Sequence, residues 1–318
     1  MDKRLAIMDR DHKTIWHWFA RVPILFRIFV CFVVGFAAAF PMTANAQGAR
    51  EYLNTPVDQY SGYTEVMFTR SQSAASADLP LPNDLAVSRV TVPYILYSFP
   101  WRKKYAGISL VAPYTRVRVA NGTLETSGFS DPGIAFHANL RGLPALKKEE
   151  LSKYVPRTIV SLHMTVNVPL GKYNRNSPVN TGANRWAFTP LVNLNIPKNK
   201  GKAWIEFYAS TKFFTNNNQF QVNKKLSQKP LTTLSAHFSH DVGKRFWVAA
   251  GTNYDYGGET SINGIRQNNG INGFRPRFAV SGRFGGIRVT ASYENTKTTE
   301  TASSRNGLVG IRVAYLIF

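Results

Sequence analysis

His237-Phe238-Ser239 sets an imidazole and a hydroxyl two residues apart. On a strand that spacing puts both on one face, where a histidine could act as base for a nucleophilic serine if a third group oriented it. Phe238 then takes the opposite face. On a membrane-crossing strand that face meets lipid, so His237 and Ser239 turn inward, away from a lipid substrate. This weighs against a hydrolase on the wall, and no catalytic residue is expected. The six histidines are scattered, with His12 and His17 near the N-terminus, so no metal site is expected. Tyr256-Gly257-Gly258 and Phe284-Gly285-Gly286 read as turns rather than phosphate loops, because no helix follows them. No cofactor is expected.

The arginines carry more information. Arg275, Arg277, Arg283, Arg288 and Arg312 share one parity on three successive C-terminal segments. Glu206, Lys212, Glu294, His163 and His237 take the same parity on theirs, and Arg89, Arg116, Arg118, His137, Asn193, Asn195 and Asp255 are read with them. Together they form an expected inward face. Rings of Arg and Lys attract anions in pores, so one reading is an anion-attracting lining. The other is an ionic network packing a narrow lumen closed, with Glu206, Asp255 and Glu294 as partners. A second candidate is Asn184-Arg185-Trp186 at an outer mouth. There Arg185 could bind a carboxylate or phenolate and Trp186 could stack on a ring. The alternative is a structural corner opening a strand.

The elements that would position these residues are strands. Ile287-Arg288-Val289-Thr290-Ala291-Ser292-Tyr293-Glu294 alternates apolar and polar, period two. Twelve such segments are expected, near 61–70, 87–99, 104–119, 131–140, 157–170, 186–196, 203–214, 231–241, 245–256, 273–284, 286–295 and 306–318. Each is long enough to cross a bilayer core when tilted. Tight connections alternate with long ones rich in Asn, Ser, Thr and Gly. That is the pattern of an antiparallel up-and-down transmembrane β-barrel with long outer loops and both termini in the periplasm. A soluble β-sandwich also alternates, with its polar face to water; the even count with this loop rhythm, bulky charges that suit a water-filled lumen and an aromatic on the last strand favour the barrel. One inner connection, 141–156, reads as a short periplasmic helix opened by Pro144. Aromatics at segment ends, among them Tyr94, Tyr105, Tyr114, Trp186, Phe213, Tyr256 and the terminal Phe318, suit interfacial girdles.

Residues 1–46 combine a basic leader, an apolar core around Cys31 and a small-residue site ending at Ala46, as in a cleaved signal peptide. The barrel is then expected over 47–318. The formal charge is +21; the leader's six basic and three acidic residues leave a mature chain near +18. Such a charge suits an anionic partner, and secretion turns the expectation from nucleic acid to lipid phosphates or acidic solutes. No long apolar run follows residue 46, which excludes a helical membrane protein.

More specific stretches lie mid-chain. They are Gly128-Phe129-Ser130-Asp131-Pro132, Val168-Pro169-Leu170-Gly171-Lys172-Tyr173, Thr181-Gly182-Ala183-Asn184-Arg185-Trp186-Ala187-Phe188 and Phe207-Tyr208-Ala209-Ser210-Thr211-Lys212-Phe213-Phe214. In this order the chain resembles the putative MetA-pathway of phenol degradation family. The resemblance implies a transporter-like outer-membrane barrel that passes small, often aromatic, organic molecules. The expected function is passive passage of such solutes, aromatic or anionic ones among them, through a basic lumen. The alternatives are a non-conducting structural or anchoring barrel and, more remotely, a lipid hydrolase using His237 and Ser239. Expected partners are outer-membrane lipids including lipopolysaccharide and a small-molecule solute, with no nucleic acid.

Overall fold

The computed structural model describes residues 48–53, 55–72, 85–119, 124–298 and 305–317. The expected signal segment, Cys31 and Phe318 lie outside the described residues. The strands are β1 (Gln59–Gln72), β2 (Leu85–Trp101), β3 (Lys104–Val111), β4 (Tyr114–Val119), β5 (Leu124–Phe129), β6 (Gly133–Arg141), β7 (Ile159–Asn167), β8 (Ala187–Lys198) and β9 (Ala203–Phe214). They continue as β10 (Asn217–Phe220), β11 (Lys224–Gln228), β12 (Leu231–Val242), β13 (Phe246–Gly257), β14 (Thr260–Ile262), β15 (Ile265–Arg266), β16 (Ile271–Phe284), β17 (Ile287–Thr298) and β18 (Arg305–Ile317).

Twelve of these close a ring in the order β1-β18-β17-β16-β13-β12-β9-β8-β7-β6-β3-β2, and β2 pairs back with β1. The ring is antiparallel throughout, so the twelve-strand expectation holds. Closure leaves no sheet edge, the condition for a β-structure to span lipid. The side chains decide between barrel and sandwich. Phe238 and Phe278 are 50% and 53% exposed, whereas Glu206 and Glu294 are wholly buried. A water-soluble sandwich would invert this, because exposed apolar surface and buried charge both cost free energy in water. The outer wall is apolar and the inside is polar.

Prolines shape one corner. Ala112-Pro113 separates β3 from β4, and Ser130-Asp131-Pro132 separates β5 from β6. Proline cannot donate to a ladder, so each hairpin arm bends there. β3 pairs with the Tyr94–Trp101 part of β2, while β4 pairs with Val87–Thr91. The expected single strand 104–119 is therefore two, and β5 occupies part of the expected loop 120–130. Two further expected loops, 215–230 and 257–272, pair with each other as a small sheet, β10-β11-β14-β15, beyond the barrel wall. At the opposite end the turns are short. Arg102 and Lys103 both take positive φ, 50° and 63°, as a two-residue hairpin of mirror-image type requires. There too lies helix α1 (Lys148–Lys153), inside the expected 141–156, with the Glu150 carboxylate accepting from the Lys147 amide at 2.9 Å.

Two sets of residues face the other way from expectation. Arg89 lies across from Phe68 and Arg116, on the exposed side of the wall, and Arg116 and Arg118 are half exposed beside Tyr114. On β2 the inner parity belongs to Val92, Tyr94, Leu96 and Ser98, so the rule of polar residues inward fails locally. For the same reason Tyr94 and Tyr105 turn into the lumen, where Tyr105 is 5% exposed, rather than into a girdle. Trp101, Tyr114, Trp186, Phe213 and Tyr256 are exposed on the outer side.

Candidate functional site

The lumen is occupied by the chain's own N-terminal segment. Residues 48–57 precede β1 and are held by side chains of distant strands. The Arg50 amide donates to both Glu206 carboxylate oxygens, at 2.9 and 3.0 Å. The Arg50 guanidinium donates to Ser239 Oγ at 2.9 Å and Asp241 Oδ1 at 2.6 Å, and lies 5.2 Å above the Trp247 ring. Glu51 accepts from Arg312 at 2.7 Å, and Arg312 also donates to Glu65. Tyr52 packs its ring against His163 and Tyr208, with centroids 4.4 and 5.0 Å apart, and its carbonyl accepts from Asn195 at 3.1 Å. Thr55 hydrogen-bonds Ser98 and Tyr105. Leu53 is different: it joins an apolar cluster of Leu143, Ile159 and Trp204, covered by Leu146, Leu151 and Tyr154 around α1. The segment thus closes part of the short-turn mouth with one apolar contact and otherwise lies in a polar lumen on charge-assisted bonds.

Around it remains a cavity of about 690 Å³. One wall carries aromatic and imidazole rings: Tyr63, Tyr94, Tyr105, His137 and His163. Tyr63 and Tyr94 stack at 4.5 Å with planes 10° apart. Arg277, Arg283 and Arg288 line the cavity from β16 and β17, and Arg312 on β18 stacks over the Tyr63 ring at 4.1 Å where the two linings meet. Small residues, Ser61, Ala279, Thr290 and Ala314, lie between and leave the space. Gly286 and Ile287 also line the cavity, so it reaches the short-turn rim there.

The expected lining residues fall into three groups. In the first, Arg275 is bonded to Asp255 and Glu294, and Arg277 to Glu294 at 3.5 Å, with Asn253 donating to Glu294 at 3.1 Å. All are buried, and charge is balanced within the group. Arg312 is paired with two carboxylates, Glu51 and Glu65. In the second, Arg283 and Arg288 lie directly opposite each other across β16 and β17. Arg283 Nε donates to the Gly285 carbonyl at 3.2 Å, and Arg288 to Ser281 Oγ at 3.4 Å. Among the described residues no carboxylate lies within ion-pair distance of either. In the third, Glu206, His163 and His237 hold the N-terminal segment or its neighbours. Glu206 accepts from Tyr208 at 2.6 Å, His163 hydrogen-bonds Asn193 at 2.6 Å, and His237 packs on Tyr208. Gly251 makes room for His237: a Cβ there would lie 2.0 Å from the ring. Lys212 stands apart, 5.7 Å from the Phe214 ring near the long-loop mouth.

The structure does not gather Asn184, Arg185 and Trp186 around one ligand. Asn184 takes a positive φ of 52° and donates to Asn217 at 3.0 Å. Arg185 bonds Gln228 and covers Phe214 at 4.6 Å. Trp186 is exposed on the outer wall, stacked beside Phe188. These residues close a corner of the outer loops. Asp131 anchors it, accepting from the Gly171 amide at 2.9 Å and the Ala183 amide at 2.8 Å. Gly171 and Gly182 approach so closely that a Cβ on Gly182 would lie 2.7 Å from the Gly171 carbonyl carbon. Ser239 is equally unsuited to nucleophilic attack, since its hydroxyl oxygen accepts from a guanidinium inside the lumen.

A closed antiparallel ring with an apolar outer wall and a charged, hydrogen-bonded interior is an outer-membrane β-barrel fold. The chain belongs to the family described as "Putative MetA-pathway of phenol degradation", whose model matches residues 70–313. Among solved structures it is similar to the COG4313 outer membrane channel from Pseudomonas putida F1. That likeness has 16% identity and a TM-score of 0.73, covering 86% of this chain and 100% of that one. The β-domain of the Bordetella autotransporter BrkA is also similar, at 12% identity and a TM-score of 0.48, covering 82% of this chain and 100% of the other. No curated protein matches.

Proposed function

We propose that this chain is a passive channel of a Gram-negative outer membrane for small organic anions, aromatic ones among them. The carrying observation is the two-walled cavity beside the N-terminal segment. Guanidiniums opposite each other without a counter-ion repel, so folding alone gains little from the Arg283–Arg288 pair. A carboxylate entering from the rim would be met by two donors in fork geometry. The tyrosines lining the same cavity offer ring contacts to whatever carries that carboxylate. The likeness to a solved outer membrane channel supports the same reading at the level of fold.

A second reading has an observation of its own. Leu53 and the Leu143–Ile159–Trp204 cluster close part of the short-turn mouth, as a non-conducting barrel would require of the whole of it. Planar-bilayer recording separates the two, using wild type and an Arg50→Ala/Glu51→Ala variant that cuts the side-chain anchors of the segment. The channel reading expects conductance in wild type and a several-fold larger or noisier conductance in the variant. Silence from both would leave the structural barrel.

A further inference from the structure

The three arginines that turn outward have no part in a lumen. Arg89 and Arg116 are direct cross-strand partners on β2 and β4, and Arg118 follows two residues along the same face. All three are exposed on the outer surface of the barrel. One carboxylate accompanies them: Glu125 on β5 is bonded to both Arg116 and Arg118. Arg116 lowers the Glu125 carboxyl below its usual range, so it remains an anion and the group keeps two positive charges in excess.

Their height along the wall defines what they meet. The outer column of β2 reads Trp101, Phe99, Tyr97, Ile95, Pro93, Thr91 and then Arg89. Trp101 marks the short-turn interface. From Trp101 to Arg89 is about 40 Å of strand, or about 30 Å of height at a tilt of about 40°. The apolar band of such barrels is about 25 Å tall, so Arg89 stands just above it. The ring row below agrees: Phe68, Tyr114 and Phe129 are all exposed, Tyr114 packs edge-on against Phe129, and Arg89 lies 5.8 Å from the Phe68 ring. The outer columns of β13 and β16 end differently, in Tyr256 and Phe274.

We infer that Arg89, Arg116 and Arg118 form a docking site for the phosphate groups of an outer-leaflet lipid, the phosphorylated glucosamine headgroup of lipopolysaccharide. Acyl chains would lie along the Ile95–Tyr97 column, and the phosphate would be clasped between Arg89 and Arg116. Guanidinium pairs bind phosphate in bidentate geometry, and the gain is greatest where lipid excludes water from one side. Phosphate between the two arginines also relieves the repulsion between like charges set opposite each other.

The test is binding of bis-phosphorylated lipid A to the purified full barrel in neutral detergent, by calorimetry. An Arg89→Gln/Arg116→Gln variant is expected to bind at least tenfold more weakly, with unchanged heat-modifiable migration as the check on folding. Glu125→Gln, which removes the competing carboxylate, is expected to bind more tightly. Lipid A stripped of its phosphates should bind wild type no better than it binds the double variant. An unchanged affinity in the double variant would overturn the site, as would equal binding of dephosphorylated lipid A. So would equal weakening by Arg283→Gln/Arg288→Gln in the lumen, which would show unspecific attraction to charge. Inorganic phosphate competing at the affinity of lipid A would refute the lipid as occupant.

Discussion

Two stretches of the same arginine wall, with Ala279 and Ser281 between them on β16, are built on opposite terms. Toward the long loops, Arg275 is bonded to Asp255, Arg275 and Arg277 share Glu294, and all four side chains are buried. Toward the short turns, Arg283 and Arg288 face each other with a carbonyl and a hydroxyl as partners and the cavity before them. Buried charge is tolerable only when paired, because desolvation costs several kcal/mol per ion. The upper stretch obeys that rule and acts as a strut. The lower stretch escapes it by remaining near water, which leaves its donors available.

Three measurements would break or sharpen this contrast. The largest effect is expected from Glu294→Ala, which takes the carboxylate from buried Arg277 and leaves Arg275 with Asp255 alone; it should cost about 3–5 kcal/mol in chemical unfolding from detergent. A loss near zero would mean that water or a rearranged Asp255 replaces the carboxylate. The second comparison sets Arg277→Gln against Arg288→Gln. Arg277→Gln leaves Glu294 undercompensated and should cost about 1–3 kcal/mol. Arg288→Gln should stay within about 0.5 kcal/mol of wild type, as surface changes usually do. It should nevertheless lower the anion-to-cation permeability ratio read from reversal potentials. The same ranking in stability and selectivity for both variants would erase the distinction. The smallest effect lies in the outer loops, where Glu259 is bonded to Arg266 and Lys229. Arg266 first, then Lys229, hold its carboxyl below the ordinary range. A lowered folded value means stabilisation that is complete above the unfolded carboxylate range, about pH 4.3, and lost as pH falls through the folded value. Amide protection factors in β11, β14 and β15, corrected for the intrinsic pH dependence of exchange, should therefore be unchanged down to about pH 5 and fall only in stronger acid. A fall in protection between about pH 5 and 7 would assign the loop sheet's stability elsewhere.

Much of the barrel was legible because period-two alternation is a local signal. Segments such as Phe274–Phe284 declare their two faces without reference to any neighbour. The signal failed where the inner residues are themselves apolar or aromatic, as with Val92, Tyr94 and Leu96, and so Arg89 was assigned inward. Pairing of one loop with another, as in β10-β11-β14-β15, has no local signature, and the loops were read as irregular. The candidate site was legible by half. The arginine column followed from parity. Which arginines are neutralised did not, because Glu51 and Glu65 reach Arg312 from the far end of the chain. Arg50 and Tyr52 carried no strand pattern, so nothing in the sequence marked 48–57 as the filling of the lumen. Trp186 was placed at the outer mouth, but its partnership with Arg185 dissolves because consecutive strand residues point to opposite faces.

The anchors of the N-terminal segment have a consequence for assembly. Glu51 meets Arg312 across 261 positions of sequence, and β1 meets β18 at the seam that closes the ring. Contacts of such separation carry the largest loop-closure entropy and form late. The barrel must therefore be nearly complete, and its interior still wet, before the segment can find its ligands. Closure of the seam and seating of the segment are thereby coupled, since both join the first and the last strands of the ring.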